Sequence, residues 1–170
     1  CMIVKEKNQN YIMNNDLKNS FEIDYIFDDK PIKRFKNKPT IENINSQLDH
    51  LKKKIRNISN CDLKNNAKQI VFGDGNPKSP VMIIGEGPGQ KEDELGKPFV
   101  GDAGQLLNKM LTAINLRREN LYITNVVNYR PPNNRKPEPA EINRYSEFLR
   151  EHISIVNPKL LILMGSTAME

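Results

Sequence analysis

Apolar and polar positions fall into a regular period from Thr40 onward. Ile41, Ile44, Leu48, Leu51, Ile55 and Ile58 recur at alternating three- and four-residue spacing, which places them on one face of a helix. Thr40 suits its amino cap, and Lys52, Lys53 and Arg56 on the opposite face read as a solvated surface. Ile70 to Phe72 reads as an edge strand, and Gly73 to Pro80, which contains GDGN, as the turn after it. Val81, Met82, Ile83 and Ile84 then run apolar up to Gly85, the pattern of a strand covered on both faces. Asp102 suits the cap of a helix whose buried face is Leu106, Leu107, Met110, Leu111 and Ile114. Central strands are expected again at Leu121 to Val127 and at Leu160 to Met164. Strands that alternate with helices favour a mostly parallel sheet with right-handed crossovers, an α/β fold.

Residues 1 to 40 keep no such period. They are rich in asparagine, lysine and aspartate, and read as a poorly ordered extension with at most a short strand or turn from Phe21 to Phe27. Residues 41 to 170 are then one domain, a size that suits the chain's 170 residues. Apolar residues make up 37% of the chain and no apolar run reaches bilayer length, so a membrane protein is not expected. No signal or transit pattern is visible, and the cytoplasm is the default location. A net charge of +5 and a pI of about 9.1 favour a polyanionic partner. Two cysteines, Cys1 and Cys61, are too few for a disulfide framework or a self-contained metal site.

The candidate chemistry lies in Val81 to Gly104. Gly85, Gly87 and Gly89 allow the turn GEGPG to press its backbone against a ligand at the carboxyl end of the sheet. The turn lacks the lysine-serine or lysine-threonine ending of a P-loop, and Pro88 with Gly89 breaks the dinucleotide spacing. It carries instead Glu86, which would repel a phosphate, and Phe99 follows between Pro98 and Gly101. Further on, RPPNNRKPEP is a stiff, exposed loop in which Arg130, Arg135 and Lys136 are candidates for phosphate contact. Taken singly, Glu86 could cap the following helix, Phe99 plug the core and Asn125 cap a strand.

GEGPG, the acidic pair ED, GKPFVGDAGQLL and YITNVVNYRPPNNRKPEP occur in this order, and together they resemble the iron-sulfur uracil-DNA glycosylases, the fourth family of that superfamily. The likeness runs from roughly Ile58 to the end of the chain. It implies a three-layer α/β/α sandwich around a four-stranded parallel sheet, and hydrolysis of the bond between uracil and deoxyribose in DNA. By resemblance Glu86 activates or positions water, Gly85 and Gly87 offer backbone contacts to the base, Phe99 stacks on the flipped uracil, and Asn125 reads its edge. These residue types suit the task, since an extruded base needs an aromatic face and an amide that both donates and accepts.

The resemblance also sets two departures. That family holds a four-iron, four-sulfur cluster with four cysteines. Here Cys61 takes the second ligand position, with Ile58 at the first, Tyr129 at the third and Tyr145 at the fourth. No cluster, and no other cofactor, is therefore expected. The family also continues into a last strand and a His-Pro-Ser or His-Pro-Ala motif that these residues lack, so the chain reads as a fragment or a truncated relative. His50 and His152 sit in helical stretches upstream. A complete chain of this kind is expected to lose most activity. The expected partner is uracil-containing DNA and the expected state a monomer. A degenerate glycosylase that binds nucleic acid without cleaving it is the main alternative, and a nucleotide-binding domain the third.

Overall fold

Thr40 Oγ1 accepts a hydrogen bond from Asn43 N at 3.3 Å, and this cap starts helix α1 (Ile41–Arg56) as the spacing predicts. The fold is that of a computed structural model, which describes residues 40–166 together with Ala168 and Met169. The expectation of a short strand or turn from Phe21 to Phe27 lies outside the described residues. Ile44, Leu48, Leu51 and Ile55 are buried along one side of α1, each worth about 1.5–3 kcal/mol by removal of apolar surface from water. Ile41 at the start of the helix stays 50% exposed, and Ile58 packs on the core from the loop beyond it.

A four-stranded sheet forms the centre. Its strands are β1 (Asp74–Gly75), β2 (Val81–Gly85), β3 (Tyr122–Asn125) and β4 (Leu160–Leu163), in the order β1-β3-β2-β4. β2 runs parallel to both β3 and β4, and β1 is antiparallel to β3. Side chains alternate across a pleated sheet, so the register that pairs Met82 with Tyr122 and Ile83 with Ile123 gives each face its own core. Met82, Ile84 and Tyr122 pack with Leu51 and Ile55 of α1 and with Tyr145 and Val156 of α5 (Pro139–Val156). On the other face Ile83, Leu121 and Ile123 pack with Leu107 and Leu111 of α4 (Asp102–Ala113). The result is the α/β/α layering that the resemblance implies, around the mostly parallel sheet that the pattern implies. Two short helices, α2 (Asp62–Asn66) and α3 (Gln90–Leu95), complete it. No helix of the described residues is long and apolar enough to cross a membrane.

Five local expectations are corrected. Ile70 to Phe72 is buried but is not the edge strand. Its carbonyls are taken by side chains, Asn128 Nδ2 donating to Val71 O at 3.1 Å and Thr124 Oγ1 to Phe72 O at 2.6 Å, so strand pairing begins only at Asp74. β3 ends at Asn125 rather than Val127, because Val126 N and Val127 N turn to Gly85 O and Glu86 O. The cap of α4 is Gly101, and Asp102 is instead paired with Lys91 at 2.8 Å. On α4 itself only Gly104, Leu107 and Leu111 are buried, while Leu106, Met110 and Ile114 are more than half exposed. A single helix over a flat sheet buries a narrower stripe than its apolar residues mark out. The strand expected as central from Leu160 to Met164 is instead an edge strand: β4 ends at Leu163, and Leu160 to Leu163 are exposed with no further element covering them among the described residues.

Candidate active site

β2 and β3 end side by side, with Gly85 paired to Asn125, so the turns that follow them emerge at the carboxyl edge where open α/β sheets hold their ligands. Gly85 lies beneath the ring of Phe99 and beside the amide of Asn125. A Cβ there would sit 2.5 Å from Phe99 Cε2 and 2.6 Å from Asn125 Oδ1, so glycine alone permits this contact. Asn125 is 3% exposed, and its Nδ2 is buried with no hydrogen-bond partner among the described residues. Such a donor costs about 1–3 kcal/mol and is rare in folded proteins. The fold therefore holds a donor for which the described residues supply no acceptor.

Glu86 continues the turn and is half-buried. Its Oε2 lies 3.7 Å from where a Cβ on Gly165 would stand, which directs the carboxylate toward the turn after β4. Gly87 lets the turn approach the proline loop, since a Cβ there would be 2.9 Å from Val127 Cγ2, 3.7 Å from Pro137 and 3.8 Å from Pro131. That packing brings the loop to the same edge of the sheet.

Phe99 has a left-handed backbone, with φ of +52°. An aromatic residue in that region costs about 1–3 kcal/mol and persists only where its surroundings impose it. Arg118 donates from Nη1 to Phe99 O at 2.7 Å and from Nη2 to Pro98 O, and its Nε is bonded to Asp74 Oδ2 at 2.8 Å. Burial works to raise the pKa of Asp74, but the hydrogen bond and charge of Arg118, with Lys97 behind them, hold the carboxyl below its usual range. On the other side of the loop Glu92 Oε1 accepts from Val100 N at 2.9 Å and Gly101 N at 2.7 Å. Next to it, buried Asp93 accepts from Lys68 N at 2.9 Å and Gln69 N at 3.3 Å.

The three basic residues of the proline loop are disposed differently. Arg135 is bidentate to Glu141 at 2.8 and 2.7 Å, and Glu141 also accepts from Glu138 N at the start of α5. The Arg135 hydrogen bond holds the Glu141 carboxyl below its usual range. Arg130 bonds Asn134 Oδ1 at 2.7 Å, and exposed Lys136 reaches Ser166 Oγ at 3.1 Å.

The model of the uracil DNA glycosylase superfamily matches residues 72–170. The chain belongs to that superfamily. A type-4 uracil-DNA glycosylase of Thermotoga maritima is 41% identical over 122 residues, which are 72% of this chain and 64% of that protein. One of Archaeoglobus fulgidus is 42% identical over 121 residues, 71% of this chain and 61% of that protein. A type-5 uracil-DNA glycosylase of Pyrobaculum aerophilum is 31% identical over 112 residues, 57% of this chain and 48% of that protein. The superfamily chain thus spans 64% and 61% of the length of these two type-4 relatives.

At the four positions that the resemblance likens to cluster ligands, Cys61, Tyr129 and Tyr145 are buried and Ile58 packs against the same core. Cys61 Sγ lies 3.4 Å from Tyr145 Oη. Burial, and then the hydrogen bond with Cys61, push the Tyr145 phenol well above its usual pKa, and burial raises that of Tyr129. The four positions offer one thiol, two neutral phenols and an alkyl group. That donor set does not fit a four-thiolate cluster.

Neither histidine stands at the site. His50 is exposed on α1, and His152 is buried on α5, stacked on Phe72 with ring centroids 4.4 Å apart and bonded to Tyr122 Oη at 2.8 Å. Of the residues expected at the site, the structure brings Gly85, Phe99 and Asn125 into contact, sets Glu86 and Gly87 on the adjoining turn, and commits Arg135 to α5. Sequence reasoning noted the ED pair without giving it a task, and passed over Asp74 and Arg118. Glu92 and Asp93 had a legible signal, since carboxylates in a short helix between glycine turns are well placed to accept loop amides.

Proposed function

We propose that this chain carries the base-excision site of a DNA-repair hydrolase that cleaves the N-glycosidic bond of uracil in DNA. The observation that carries the reading is Asn125 Nδ2, a buried donor without a partner among the described residues, held beside Phe99 at the end of the sheet. A pyrimidine laid on the Phe99 ring presents a carbonyl oxygen to that donor and a ring N–H to the amide oxygen. Stacking of about 1–3 kcal/mol per base offsets part of the cost of extrusion. Uracil then leaves with the electron pair of the broken C1′–N1 bond, and the backbone amides of the GEGPG turn favour the departing anion. Glu86 orients the water whose oxygen bonds to C1′, accepts its proton, and by its charge favours the cationic sugar. Arg130 and Lys136 meet phosphates beside the extruded nucleotide. The names of the type-4 relatives support the substrate.

The test is alkali-dependent cleavage of a labelled oligonucleotide containing a single uracil. Cleavage by the protein, as these residues or extended past Glu170, that is lost in Glu86→Ala and in Asn125→Ala is the expected result. A Glu86→Ala chain as active as the parent would remove Glu86 from the chemistry. A second reading is a domain that binds the base without cleaving the bond. It is marked by tight binding of uracil-containing DNA with no excision.

The same domain works without an iron-sulfur cluster and as a monomer. Ile58, Tyr129 and Tyr145 fill by packing the space around Cys61, so local stability rests on burial. Iron analysis of protein purified without oxygen should find no stoichiometric metal; four irons per chain would overturn this.

A further inference from the structure

We infer that Arg118 is a positioning residue, which holds Phe99 in its left-handed conformation and so fixes the stacking face relative to Asn125. The inference rests on the reading of Phe99 as the residue that stacks on the base. Nothing local to the segment Lys97–Gly101 favours a positive φ at an aromatic. The segment is held from outside, its carbonyls by the Arg118 guanidinium and its amides by the Glu92 carboxylate. Gly104 leaves room for this seating, because a Cβ there would lie 2.0 Å from Phe99 O.

All three guanidinium nitrogens are used. Two face the Pro98 and Phe99 carbonyls and the third is bonded to Asp74, whose other oxygen lies 3.5 Å from Lys97 Nζ. Asp74 stands on β1 opposite Ile123, two residues before Asn125 on β3, and Arg118 lies in the short helical turn that enters β3. The clamp thereby refers Phe99 to the same strand that carries Asn125. This gives β1, only two residues long, a purpose in the site. A lysine could not reproduce the clamp, since an ammonium lacks the planar fork that reaches two carbonyls and a carboxylate together. On the outer side a cavity of about 710 Å³, lined by Asp74, Lys97, Phe99, Asn108 and Arg118 among others, gives small solutes a path to the clamp.

The test is a double-mutant cycle on the full chain, read as uracil excision under single-turnover conditions. Arg118→Ala and Arg118→Lys should each lower the rate by about 10- to 100-fold, the scale of a misplaced positioning group. In a Phe99→Ala background Arg118→Ala should change it by less than about twofold, because the two act as a unit. Guanidinium at millimolar concentration should restore part of the rate to Arg118→Ala and none to Arg118→Lys. Full, additive losses in both backgrounds, or a rate in Arg118→Ala equal to the parent's, would overturn the proposal. A second measurement does not depend on excision: the Phe99 HN–Hα coupling and Cα shift, read by NMR, should lose their left-handed signature in Arg118→Ala. Retention of that signature overturns the clamp whatever the activity. Loss of it in a chain whose parent excises no uracil would retire the glycosylase reading and leave the clamp standing.

Discussion

Gly85→Ala tests the arrangement of the site most directly, because it adds one methyl group at the point where three site residues meet. The new Cβ would lie 2.5 Å from Phe99 Cε2, 2.6 Å from Phe99 Cζ and 2.6 Å from Asn125 Oδ1. Carbon atoms settle about 3.5–4.0 Å apart, so the ring must retreat by about 1 Å or the strand must shift. Overpacking of this kind costs about 1–3 kcal/mol of stability. A displacement of about 1 Å at a reacting site costs on the order of 100-fold in rate, or about 2.7 kcal/mol in the barrier. Excision of uracil from the labelled oligonucleotide should therefore fall by about that factor while the chain stays folded by circular dichroism. Leu106→Ala, at a site that is 59% exposed, serves as the control and should leave both readings near the parent's. A Gly85→Ala chain within about threefold of parental activity, well short of that factor, would refute the contact between Gly85, Phe99 and Asn125 as the heart of the site.

Three further outcomes follow from the geometry. Burial lowers the His152 pKa to about 4 from an ordinary 6.5, so the fold favours the neutral ring. The stability it contributes is full above pH 6.5 and is lost as the pH falls from 6.5 toward 4, on the order of 3 kcal/mol in all; thermal unfolding across that range should show the loss, and His152→Gln should flatten it. Tyr145→Ala should destabilise by about 3–5 kcal/mol as a fully buried aromatic, whereas Tyr145→Phe, which removes only the contact to Cys61, should cost about 1 kcal/mol by urea unfolding. Lys136→Ala should weaken DNA binding and reduce the slope of log affinity against log salt by about 1, while Arg135→Ala should lower the melting temperature and leave that slope in place.

The sequence by itself determined the central strand and the helix packed on it, and it marked the candidate site's residues. Val81 to Ile84 are apolar without alternation because both faces of β2 are covered, and Ile44, Leu48, Leu51 and Ile55 keep a helical period because one face of α1 is. These are local consequences of burial, and burial leaves its period in the residue types. GEGPG, Phe99 and Asn125 were legible for a similar reason, since glycine, an exposed-type acid and an aromatic between proline and glycine are unusual neighbours.

What remained hidden depends on partners distant in the chain. The width of the buried stripe on α4 follows from how much of the helix surface the sheet covers, which Leu106 and Met110 do not encode. The edge strand moved from Ile70–Phe72 to Asp74 because Thr124 and Asn128, more than 50 residues on, claim the carbonyls first. Arg135 reads as a phosphate contact until Glu141 is seen to hold it. Arg118 carries no signal at all, since its three partners lie at Asp74, Pro98 and Phe99 and only the packing of β1 on β3 brings them together. Periodicity records which side of an element is dry. Which charged group meets which carbonyl is settled by the tertiary fold, because hydrogen bonds act over about 3 Å and the chain alone does not say what comes that close.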